Sequence, residues 1–178
     1  MNILKLPIFE YFPDPIGNGC IVEKKSRCAC CEQGRAFMYV GPIYCVDDVS
    51  EVCPWCISDG SAAAKWSASF NDIYDVPKGV PQDVVETIDS RTPGYSTWQG
   101  NTWLFSATDA LVFVGEVIGS AITQENEMEK IAACRTALVD WSFPSDFDLS
   151  NVVIGGQPAI YLFQDKATME YKAYADMT

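Results

Sequence analysis

Histidine is absent from the chain. That absence removes the Ser-His-Asp and Cys-His nucleophilic mechanisms, the imidazole general base and the imidazole metal ligand. Long apolar runs are missing too. The longest, residues 110–122, contains Glu116 and two glycines and falls short of the ~20 residues a membrane helix needs. Pro7, Glu10 and Pro13 break up the N-terminal stretch, so no secretory leader is expected there. Positive charge is scarce: twelve Lys and Arg stand against twenty-four Asp and Glu, a formal net charge of −12. Such a chain is a poor general ligand for nucleic acid or an anionic membrane, and it attracts cationic partners instead. There is no repeat, low-complexity tract or glycine-rich phosphate loop. These features together predict a cytoplasmic protein whose thiols are reduced.

What remains is ordinary globular composition, 48% hydrophobic over 178 residues. That is enough for a single domain with its own core. The expected class is α+β: one domain over 1–178, with an extended strap and metal-binding segment in 1–60 and an α+β body in 61–178. The strap is residues 1–18, rich in proline and aromatics. A strand is expected at 36–40, stopped by Gly41-Pro42. Helices are expected at 59–70, where Asp59 or Ser61 can cap an alanine run, and at 81–91, with Pro81 near the first turn. Residues 109–119 fit a buried helix or a strand, and helix is favoured because Thr108-Asp109 can cap it. The clearest helix spans 123–139, and strands are expected at 102–105, 152–154 and 159–163. Residues 164–167 then turn a C-terminal hairpin into a strand at 169–174.

Seven of the eight cysteines lie in the segment from Cys20 to Cys56. Cys28 and Cys31 form one C-x2-C pair, and Cys53-Pro54-Trp55-Cys56 is a second. Two residues between sulfurs let one tight turn aim both at a single ion, and two such knuckles complete the tetrahedral S4 set that suits Zn2+. The predicted metal ligands are Cys28, Cys31, Cys53 and Cys56, holding one structural zinc per chain. Two alternatives remain open. The thiols could simply pack in a core, or Cys53 and Cys56 could form a redox dithiol beside a helix N-terminus, although no βαβ unit precedes them. Cys30 points away when its neighbours bind one ion. Cys20, Cys45 and Cys134 have no paired spacing and read as core thiols.

The blocks Gly41-Pro42-Ile43-Tyr44, Cys53-Pro54-Trp55-Cys56-Ile57 and Arg91-Thr92-Pro93-Gly94-Tyr95, with Trp98-Gln99 and Trp103, make the chain similar to the bacterial CbrC family over most of its length. That resemblance implies a link to colicin tolerance and, by likeness, to toxin immunity. It also implies a second Cys and His site, whose positions here hold Phe105-Ser106 and Asp165-Lys166-Ala167-Thr168, so one zinc would remain.

Charge is unevenly spread. Up to Arg35 there are five basic and four acidic residues; beyond it, seven basic residues face twenty acidic ones. Asp47, Asp48 and Glu51 read as a solvated helix start rather than a cation site. Glu125 and Glu127 lie at the positive end of the expected helix, while Asp140, Asp146 and Asp148 surround Trp141, Phe143 and Phe147. Acidic groups interleaved with aromatics make a docking surface for a basic protein. The expected function is therefore a tolerance or immunity protein, not an enzyme. It would bind a cationic toxin domain, expected to be a nuclease, through these five acids, and would contact neither nucleic acid nor membrane. The alternatives are a thiol- or metal-dependent enzyme and a zinc-stabilised adaptor in an envelope or stress response.

Overall fold

The computed structural model describes residues 5–177, and the first four residues of the expected strap lie outside the described residues. The strap buries Phe9, Tyr11 and Phe12. The Phe12 ring meets Phe113 edge-on at 4.8 Å, and Phe113 N–H donates to the Tyr11 carbonyl at 2.8 Å.

Strands β1 (Ile21–Arg27) and β2 (Gly34–Tyr39) form an antiparallel hairpin, with Ile21 opposite Tyr39, Arg27 opposite Gly34 and an irregular register between Glu23 and Ser26. Helix α1 (Pro54–Ser58) follows, then α2 (Ser61–Trp66) and α3 (Gln82–Arg91). Ala62, Ala63 and Ala64 favour α2, and Gly60 at φ 79° makes the sharp turn between α1 and α2. Asp59 assists by accepting from Ser61 N–H at 2.8 Å.

The second half contains β3 (Val112–Glu116), α4 (Gly119–Gln124), α5 (Met128–Val139), a 3-10 turn (Leu149–Asn151), β4 (Ala159–Gln164) and β5 (Tyr171–Asp176). The three strands form an antiparallel sheet in the order β3-β4-β5. Residues 112–116 are therefore strand, not the expected helix. Leu111, Phe113, Gly115 and Val117 are buried while Val114 is exposed, and this period-2 pattern with β-branched valines outweighs the capping signal. The helix expected over 123–139 is broken at Asn126, whose φ of 55° lies in the left-handed region that asparagine tolerates. Thr102 and Phe105 make single bridges, to Asp72 and Ala110, instead of a strand, and residues 152–154 form no strand. No helix among the described residues is long and apolar enough to cross a membrane.

Strand β4 divides its side chains between two buried clusters. Ala159, Tyr161 and Phe163 enter the larger one, with the strap and the β1–β2 hairpin. Ile160 and Leu162 enter the smaller one, beneath α4 and α5. Alternation of side chains across a strand accounts for the division. In the larger cluster Tyr95 stacks on Phe113 at 4.3 Å, and Trp103 meets Phe163 edge-on at 5.6 Å.

Candidate metal centre

The first knuckle is the turn that joins β1 to β2. Cys28 N–H donates to the Gln33 carbonyl at 2.9 Å, Glu32 N–H returns to the Cys28 carbonyl at 2.8 Å, and Glu32 adopts a φ of 58°. The second knuckle is carried in beside β2. Tyr39 N–H donates to the Val52 carbonyl at 2.8 Å and Ala29 N–H to the Glu51 carbonyl at 3.0 Å. Pro54, with its φ already suited to a helix, then opens α1. Cys53 stands at the N-cap and Cys56 in the first turn, so both sulfurs face the hairpin.

The structure thus brings Cys28, Cys31, Cys53 and Cys56 together, with all four sulfurs within 4.8 Å of one another. Cys53 and Cys56 stand 3.6 Å apart, Cys28 and Cys56 3.9 Å, and Cys31 and Cys53 4.0 Å. Four sulfurs at about 2.3 Å from a tetrahedral zinc stand about 3.8 Å apart. A disulfide would need about 2.05 Å. The donor set and spacing therefore fit a metal ion. Cys28, Cys53 and Cys56 are buried, and Cys31 is half-buried. Cys53 N–H points at the Cys28 sulfur at 3.3 Å, a donor placed for a thiolate. Cys30 lies outside this group, with its sulfur 3.5 Å from the Ser61 hydroxyl. It is the one group of this kind among the described residues; Glu51 instead pairs with Lys24.

Burial pushes the Cys53 thiol up to about 11 and Cys56 further still. A redox nucleophile needs the opposite shift. Burial also acts to raise Cys31, but the Gln33 backbone and the Arg35 guanidinium outweigh it and bring that thiol to about 7. Arg35 Nη2 stands 3.9 Å from the Cys31 sulfur, and its guanidinium lies 4.9 Å from the centre of the Trp55 ring. Arg35 Nε is buried with no hydrogen-bond partner among the described residues. A cation held in this way makes electrostatic sense beside four thiolates, which leave a divalent ion with net negative charge. Composition marked Arg35 only as one of several bases near the cysteines; its role comes from the packing. Cys20 and Cys134 are core thiols, pushed by burial up to about 12 and about 11.

The five predicted docking acids separate by environment. Glu127 precedes α5 and pairs with Lys130 at 2.5 Å. Asp148 accepts from Ser150 N–H at 3.0 Å, and its contacts with Ser150 hold its carboxyl below the usual range. Glu125, Asp140 and Asp146 are exposed, and their carboxylates make no hydrogen bond or ion pair among the described residues.

The model of an uncharacterised protein family, UPF0167, matches residues 6–177. UPF0167 proteins of Mycobacterium bovis and Mycobacterium tuberculosis are each 38% identical over 178 residues, covering 97% of this chain and 94% of theirs. One of Pseudomonas aeruginosa is 37% identical over 164 residues, covering 89% of both chains. No solved structure matches. The expected CbrC assignment is thereby corrected, since the matching family and these relatives carry a different name. The blocks that suggested it are a metal knuckle, a Gly-Pro turn and packing aromatics, which a fold demands for its own geometry and which do not single out one family.

Proposed function

Given that the chain belongs to the UPF0167 family, we propose that it is a zinc-stapled binding protein, resident in the cytoplasm, that engages a cationic protein domain and catalyses no reaction. The observation that carries this reading is the four-sulfur cluster. Four protein ligands fill a tetrahedral zinc and leave no coordination position for a substrate, as in structural sites. Cys28, Cys31, Cys53 and Cys56 would hold the ion, and the ion would lock the β1–β2 hairpin to α1. All eight cysteines are free thiols, in keeping with a reducing compartment. Outside the first 35 residues acid exceeds base almost threefold, and Glu125, Asp140 and Asp146 keep their charges unspent.

A nuclease, which must present positive charge to hold phosphates, is one partner of the required chemistry. An immunity role drew on the acidic charge as well as on the CbrC resemblance, and the charge supports a cationic partner without naming a toxin. Two experiments test the reading. Metal analysis of the purified protein should give about one zinc per chain, and finding none removes the staple. A triple variant reversing Glu125, Asp140 and Asp146 should remain folded and lose salt-sensitive capture of a basic domain such as a nuclease. Undiminished capture removes this surface, and turnover of a small substrate would favour an enzyme.

A further inference from the structure

The acidic body carries an open sheet edge. Among the described residues β5 has β4 on one side and no strand on the other. Antiparallel pairing makes successive residues point their backbone groups alternately toward and away from the neighbour. Asp165 N–H donates to the Glu170 carbonyl, which sets the phase, and Val117 N–H donates to the outward carbonyl of Ile160 across β4, which agrees with it. Tyr171, Ala173 and Ala175 therefore direct their N–H and C=O groups away from β4. Ala175 is buried and its carbonyl accepts from the Trp141 indole at 3.0 Å, so the accessible part of the edge is Tyr171 and Ala173.

The edge lies along a trough. Ala133, Thr136 and Ala137 of α5 line it together with Leu104 and Phe105. Small side chains on the helix wall allow another backbone to come close. Acids dominate the charged groups around the trough. Lys130 is tied to Glu127, which leaves Glu129, Asp140 and Glu170 against Lys172. An unpaired edge is a template for another strand, and a peptide added there gains main-chain hydrogen bonds, with side-chain pockets at alternate positions.

We propose that the β5 edge takes an extended segment of the partner protein, with Lys or Arg at alternate positions facing Glu129, Asp140 and Glu170, as an added antiparallel or parallel strand. This deepens the proposed binding function and rests on its requirement for a cationic partner.

The test uses the full-length, zinc-loaded protein and an octapeptide of alternating valine and lysine, followed by amide NMR. In the free protein the Tyr171 and Ala173 amides should exchange at least about tenfold faster than those of Lys172 and Tyr174, which face β4. The peptide should slow both. A peptide N-methylated along its pairing edge should bind at least about tenfold more weakly, because methylation deletes its donors. Ala173→Pro removes one outward N–H and leaves the β4 pairing in place, as proline does on edge strands; it should keep the fold and lose the peptide. If that variant fails to fold, the methylated peptide carries the test by itself. Protected Tyr171 and Ala173 amides in the free protein, absence of binding at millimolar peptide, or binding indifferent to methylation would each overturn the edge site. Binding that ignores methylation yet still requires lysine overturns the edge while sparing the charge-based reading. Equal binding of a glutamate-valine octapeptide overturns that reading itself.

Discussion

Zinc affinity should fall steeply with acid, with a slope set by the metal-free site. Burial holds the Cys53 thiol near 11 and pushes Cys56 higher, so both are fully protonated at neutral pH in the metal-free state. Both must be thiolates in the metal-bound state. Each binding event therefore releases at least two protons from this pair. Cys31, near 7, contributes a further fraction that grows as pH falls below that value. The sign follows directly. The metal-free form binds more protons, so lowering pH favours it. Two protons imply a loss of affinity of about a hundredfold for each pH unit. Because the bound ion stabilises only the folded chain, the melting temperature of the zinc form should decline over the same range. The assay is competition with a chelator of known pH behaviour between pH 6 and 8, read beside calorimetric proton release in two buffers of different ionisation enthalpy. A slope clearly below two decades per pH unit, or release of fewer than two protons, would refute the reasoning. It would show that Cys53 or Cys56 is already ionised in the metal-free state or is not a ligand.

Cys30→Ser should keep about one zinc per chain while Cys53→Ser loses it, by metal analysis; the reverse pattern would mean that a different set of four sulfurs binds the ion. Arg35→Met should weaken zinc binding by about tenfold or more in the same competition assay, the range for deleting a group that supports a metal ligand, and Arg35→Lys should restore part of it. Phe163→Ala, which hollows the aromatic cluster around Tyr95, Trp103 and Phe113, should cost about 3–5 kcal/mol in denaturant unfolding. Lys166 lies 4.0 Å over the Tyr11 ring and pairs with Asp109 at 2.9 Å, but it is partly exposed, so Lys166→Met should cost only about 1 kcal/mol by the same measurement.

Local chemistry settled part of this protein without any structure. The two C-x2-C pairs bring Cys28 next to Cys31 and Cys53 next to Cys56 because a tight turn allows nothing else, and the missing histidines limit a metal site to sulfur and carboxylate. The hairpin near the C-terminus and its first strand, Ala159–Gln164, were legible from apolar residues bounded by turn signals. Other features depended on contacts distant in sequence. Residues 112–116 satisfy both a capped helix and an alternating strand, and only pairing with β4 decides between them. The break at Asn126 divides a segment whose composition is helical throughout, because α4 and α5 pack on different parts of one buried cluster. Tertiary structure alone joined the two cysteine pairs across the 21 residues that separate them, by laying Val52 beside Tyr39. It also set the Arg35 guanidinium between Trp55 and Cys31 and left β5 at the open edge of its sheet. Spacing along a chain specifies neighbours within one turn. Which turns meet, and which edge stays free, is decided by the burial of side chains that the sequence places far apart.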